Sequence, residues 1–67
     1  MSIARVTEIS ATSTDSFDDA VKQGIQRASK TLRNIEGAWV KDSNVKVANG
    51  NVSEFRVNLA VTFLLDD

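Results

Sequence analysis

The stretch EFRVNLAVTFLL, residues 54 to 65, decides how the rest of the chain is read. Phe55, Val57, Leu59, Val61, Phe63 and Leu65 fall on one side of an extended backbone. Glu54, Arg56, Asn58 and Thr62 fall on the other, with Ala60 and Leu64 the two interruptions. This is the pattern of a half-buried β-strand. At about 3.3 Å per residue such a strand runs about 40 Å, long enough to need partners along its whole length. One face needs a cover, and the other presents polar groups of varied chemistry.

Working back toward the N-terminus, Ala38 to Val47 reads as a second strand, joined to the first by Ala48-Asn49-Gly50-Asn51. Asn-Gly between two apolar runs is a strong hairpin signal, because both residues tolerate the positive φ of a tight turn. With Asn49 and Gly50 as turn residues, paired positions sum to 99, which sets Trp39 opposite Ala60 and Ser43 opposite Arg56. Trp39, Lys41 and Arg56 then share one face. The same register puts Asp42 and Asn44 on the other, apolar face. Either the cover reaches only part of the sheet or a bulge shifts parity.

Between residues 17 and 34 the period changes. Phe17, Ala20, Val21, Gly24, Ile25, Ala28 and Leu32 recur at three- and four-residue steps, with Asp18, Lys22, Gln26, Lys30 and Arg33 on the other side. The spacing predicts an amphipathic helix of about five turns, whose small-residue stripe lets it sit close to a sheet. Ser16 with Asp19 three residues on has the form of a helix start whose side chains serve the free amides, and Asp15, Asp18 and Asp19 suit the positive end of the helix dipole. Asn34 and Gly37 offer residues for a left-handed exit. Ile3 to Ser10 reads as a further short strand, followed by a Ser/Thr-rich connector from Ala11 to Ser16. The expected fold class is α+β: β-α-β-β, a three-stranded antiparallel sheet on one helix, as a single domain over residues 1–67.

One helix cannot cover both faces of such a sheet. A chain of 67 residues buries only about 60% of the surface that it exposes when unfolded, so the core needs reinforcement. There is no Cys for disulfides, and with no His either there is no ordinary zinc site. Self-association through the uncovered face, which carries Trp39, is the reinforcement left. A net charge of −1 with interspersed signs argues against a nucleic-acid partner, and no apolar run approaches a membrane span, so the expected setting is cytoplasmic. With no His, Cys or Tyr, Ser10, Ser13, Ser16, Ser29, Ser43 and Ser53 lack an activating base, and no enzyme is expected. Asp15, Asp18 and Asp19 lack the ligand count and the Gly of a calcium loop, so helix-end electrostatics accounts for them better than a metal does.

Several segments together carry a family resemblance. Ala11-Thr12-Ser13, Ser16-Phe17-Asp18-Asp19-Ala20, Ala28-Ser29-Lys30-Thr31-Leu32-Arg33-Asn34, Phe55-Arg56-Val57-Asn58-Leu59 and Val61-Thr62-Phe63 resemble the dodecins, small β-α-β-β proteins that form hollow dodecamers and bind flavins. The resemblance runs nearly end to end and is most specific at Ala28 to Asn34. It implies a homo-oligomer, most simply a dodecamer, that stores or sequesters riboflavin, FMN or FAD without turnover. Within that resemblance the family's stacking Trp falls at Gly37, its edge-binding Gln at Arg56, and the Gly before Thr-Ser at Ala11. Trp39, two residues beyond Gly37 and on the same strand face, is the candidate replacement for the stacking ring; its alternative is packing in a subunit interface. Arg56 is the candidate edge donor, and its alternative is an ion pair with Glu54 or an Asp. The cofactor-binding expectation is therefore Trp39, Arg56 and Gly37 around a flavin. The competing expectation is a dodecin-like structural or interaction protein whose altered pocket holds another ligand, a metal ion or nothing.

Overall fold

The computed structural model describes residues 3–65, and its elements follow in the order β1 (Ala4–Ser13), α1 (Phe17–Ala28), β2 (Ile35–Ala48) and β3 (Asn51–Leu64). The three strands form one antiparallel sheet with β3 in the middle, flanked by β1 and β2. The central position suits β3 because its alternation is the cleanest in the chain. Val57, Leu59 and Val61 are fully buried and, with Ala20 of α1, form the core. Ile9, Ala11, Val21, Ile25, Leu32 and Ile35 pack around them, while Phe63 is only half-buried at the end of the row.

Helix and sheet approach closely because the contact stripe is Ala20, Gly24 and Ala28, all buried. A Cβ placed on Gly24 would lie 2.9 Å from the Cβ of Ala11 and 3.3 Å from Cδ1 of Leu59, so a hydrogen there is a steric requirement. Asn49 and Gly50 both have positive φ, 54° and 78°, as a hairpin turn of the I′ kind demands.

The helix stops at Ala28 rather than near Asn34, after 12 residues and a little over three turns. Past it, the Ser29 hydroxyl and amide both donate to the Ile25 carbonyl, and the amides of Lys30 and Thr31 turn back to Arg27 and Ala28 in tighter, three-residue steps. Leu32 still reaches the core through this tight turn, which is why the apolar spacing outlasts the helix. Asn34 takes a left-handed φ of 59°, whereas Gly37 lies within β2 and contributes nothing to the exit.

The start of α1 also differs in detail. Ser16 caps as expected, its hydroxyl accepting from the Asp19 amide at 3.0 Å. Asp19, however, accepts from the hydroxyl of buried Ser13, whose oxygen in turn accepts from the amides of Asp15 and Ser16. Ser13 therefore organises the connector, and this prolongs β1 beyond Ser10 to Ser13.

Register shifts settle the parity of β2. Trp39 lies opposite Ala60, but Asp42 faces Asn58, Ser43 faces Val57 and Asn44 faces Arg56. One bulge lies between Val40 and Asp42, another between Ile35 and Gly37, and a third where Lys46 and Val47 meet β3. The expected pairing of Ser43 with Arg56 thus fails by one residue, and Asp42 and Asn44 turn to the face away from the helix. Of the two ways out left open by the alternation, the bulge operates here, and the helix also leaves β2 outside its cover, since α1 packs on β1 and β3.

Candidate functional site

The sheet face turned from the helix carries Gly37, Trp39, Asp42 and Asn44 from β2, Arg56, Asn58, Ala60 and Thr62 from β3, and Val6, Glu8, Ser10 and Thr12 from β1. Each set follows from strand parity and the observed pairings. Chemically the face is graded. At one end Gly37 and Val6 flank Thr62, and Trp39 and Glu8 flank Ala60. Trp39 is 75% exposed and Val6 56% exposed, and a Cβ on Gly37 would meet nothing within 4 Å. The result is an open apolar notch bounded by an indole.

The middle of the face is polar and internally satisfied. The Ser10 hydroxyl donates to the Asn58 side-chain oxygen, and the Asn58 amide donates to Asp42. Lys41, the residue displaced by the bulge, pairs with Glu8 across the central strand. That carboxylate, by hydrogen bond and then by charge, raises the Lys41 ammonium above its usual pKa of 10.5. These groups border a depression of about 320 Å³. Ala60, between Trp39 and the Glu8–Lys41 pair, is left 6% exposed.

Arg56 stands beyond this network, opposite Thr12 and Asn44. Among the described residues it makes no ion pair with Glu54 or with an Asp. It shares the face of Trp39 but sits four residues along the strand from Ala60, a separation of about 13 Å. The fold therefore brings Gly37 and Trp39 together and holds Arg56 apart from them. The alternation of residues 54–65, the hairpin register and the two-residue spacing of Gly37 and Trp39 locate all three on one face; the Glu8, Ser10, Asp42 and Asn58 cluster was not anticipated. A usable signal was present: Ala38 and Val40 are even-numbered while Val45 and Val47 are odd, so the apolar row changes parity within β2.

Among the described residues no group of three or more His, Cys, Asp or Glu is placed to hold a metal ion, and no helix is long and apolar enough to cross a membrane. A three-stranded sheet with one face covered by a single helix and the other open around an exposed indole defines a protomer of the small β-α-β-β class. The chain belongs to the dodecin family, whose family model matches residues 3–66. It is 29% identical over 65 residues to the dodecin of Thermus thermophilus, covering 97% of this chain and 94% of that one. Its structure matches the dodecin from Streptomyces davaonensis with a TM-score of 0.95 at 35% identity, covering 98% and 97% of the two chains. It also matches a calcium-chelating immunodominant antigen, calcium dodecin, from Mycobacterium tuberculosis, described with a novel calcium-binding site, at a TM-score of 0.83 and 28% identity over 96% and 91%. Dodecins are small, oligomeric, non-enzymatic flavin-binding proteins, and membership implies a homo-oligomer with small-molecule ligands.

Proposed function

We propose that this chain, as a single dodecin-like unit, binds riboflavin, FMN or FAD without turnover in a cytoplasmic homododecameric shell, storing or sequestering the flavin. The observation that carries the reading is Trp39: a large aromatic ring, 75% exposed, beside an apolar notch and with no ring partner among the described residues. A flat, amphipathic isoalloxazine suits such a plane, which offers stacking and apolar area at low entropic cost. Gly37 leaves room where a side chain would otherwise stand. Because Arg56 lies about 13 Å along the sheet from the Trp39 row, the edge of a ring stacked on Trp39 meets Arg56 of a second copy packed face to face. Titrating apo-protein with each flavin and following quenching of its fluorescence tests this. Saturable quenching at two rings per face-to-face pair, one for each Trp39, is expected, and its absence for all three flavins rejects the proposal.

A second reading, in which the same shell holds a metal ion, draws on the likeness to calcium dodecin. Glu8, Ser10, Asp42 and Asn58 are the oxygen-bearing groups such an ion would use. Glu8 and Asp42 are already engaged by Lys41 and Asn58, which favours the flavin reading. A calcium titration by calorimetry distinguishes the two.

A further inference from the structure

A flavin presents at its pyrimidine edge a single N–H, at N3, between two carbonyl oxygens. The guanidinium of Arg56 has donors and no acceptor, so it serves the carbonyls and leaves the N3 hydrogen unmet. A ring seated against the sheet sheds the water that would otherwise accept from that hydrogen, and a donor left unpaired weakens binding. The site needs an acceptor within reach of Trp39.

The sheet supplies one in the same row. Trp39 and Glu8 stand opposite Ala60 from its two neighbouring strands. Two strand spacings put their backbones roughly 10 Å apart, a gap that a fused three-ring system stacked on the indole spans. Lys41 reaches across β3 to one carboxylate oxygen of Glu8, so the row ends in a pair that both accepts and donates. The capacity of this pair is not used up. Among the described residues no donor meets the second Glu8 oxygen, and the Lys41 ammonium spends one of its three hydrogens on the pair. Both side chains stay open to a ligand, Glu8 at 62% and Lys41 at 49% exposure. Asn58, by contrast, already accepts from Ser10 and donates to Asp42.

Polarity changes across the face as it does along the ligand. The end with Gly37, Val6 and Trp39 is apolar and open, whereas the depression of about 320 Å³ that Glu8 and Lys41 line is polar. An isoalloxazine has a dimethylbenzene end and a dioxopyrimidine end, so one orientation matches both halves of the face.

We propose that Glu8 accepts the N3 hydrogen of a flavin stacked on Trp39 of the same chain while Lys41 donates to a flanking carbonyl, so that this ion pair reads the imide edge of the ligand. The ligand class narrows to planar fused rings that carry an unsubstituted imide. This rests on the flavin reading and adds to it the acceptor that Arg56 lacks.

The test uses the full chain, with riboflavin and 3-methylriboflavin, whose methyl group replaces the N3 hydrogen, as paired probes in the quenching titration. Wild-type protein is expected to bind riboflavin about tenfold more tightly or better, because a hydrogen bond to a carboxylate is a strong one and methylation leaves the acceptor unmet. The methyl group also adds bulk, so the deciding measurement is how the ratio changes in variants shown by far-UV circular dichroism to be folded. Glu8→Ala is expected to bring the two affinities close to equality. Glu8→Gln, whose carbonyl still accepts, is expected to keep a reduced preference. Lys41→Ala is expected to weaken both flavins by a similar factor, since both retain their carbonyls. Equal affinities in the wild-type protein, or a preference that survives undiminished in either Glu8 variant, overturns the proposal and leaves the flavin site standing. Absence of quenching by riboflavin itself overturns the flavin reading and this assignment together.

Discussion

Trp39 and Arg56 sit on the same sheet face yet answer different chemical needs, so their substitutions are expected to fail differently. Trp39→Ala removes the exposed ring and should weaken riboflavin, FMN and FAD alike, by about 1–3 kcal/mol if base–aromatic stacking is the guide. Arg56→Gln supplies an amide that both donates and accepts, so affinity should hold or improve in the same titration. Loss of FMN and FAD binding with riboflavin spared would show instead that the guanidinium meets a phosphate. Lys41 offers a pH handle. Its pKa is raised in the folded state by Glu8, so the pair's contribution is fully present below the unfolded value of 10.5 and is lost as pH rises through the folded value. Glu8→Gln should return the Lys41 titration, followed by NMR of its side chain, toward 10.5. Of this face, Arg56 was legible from the alternation of β3, and Trp39 and Gly37 from the Asn-Gly hairpin register that sets Trp39 opposite Ala60. Asp42 was not, because the Lys41 bulge inverts its side and local alternation carries no record of an extra residue until the valines beyond it are compared.

The elements were legible to the extent that each has its own periodicity. The small-residue stripe gave the helix face correctly, since Ala20, Gly24 and Ala28 are the residues it buries. The same apolar spacing overstated the helix length, because Leu32 reaches the core from a tight turn that preserves the three- to four-residue rhythm. Hydroxyls at Ser29 and Thr31, which compete for the last carbonyls, were the countersignal. The core assignment of β3 makes a direct test. Leu59 is fully buried beneath α1, so Leu59→Ala should cost about 2–5 kcal/mol in urea unfolding. A change within about 0.5 kcal/mol would mark a surface position and reverse the face assignment.

At the scale of the whole molecule, the protomer measures 51 × 19 × 14 Å, and its hairpin runs on from the Phe17–Phe55 contact at the helix start to the turn at Asn49 and Gly50. So thin a body has little interior, and among the described residues only Leu59, Val57 and Val61 are large side chains buried completely. Stability is expected to depend on concentration, with the unfolding midpoint rising as protein is added, because association favours the folded state by mass action. A concentration-independent midpoint together with a monomeric mass at micromolar protein would refute an oligomer-based account of its stability. Oligomerisation itself was legible from the shortage of reinforcement in a short, cysteine-free chain. The turn of Val45 to the helix side was not, since without the bulge it reads as facing away from the helix.

The bulges at Glu36 and Lys41 have a consequence for how copies add to one another. Both fall on β2, one of the two outer strands, whose outward backbone groups have no partner within the sheet. A straight, flat, valine-bearing border of 14 residues would be a template for endless strand-on-strand growth. Each inserted residue bends and twists that border and breaks its hydrogen-bonding rhythm, so an arriving strand finds matching donors and acceptors over only a few residues at a time. The same irregularity that aims Asp42 and Lys41 across the open face thereby guards the protein against fibril formation, and a deletion of Lys41 should shorten the lag before thioflavin-positive aggregates form.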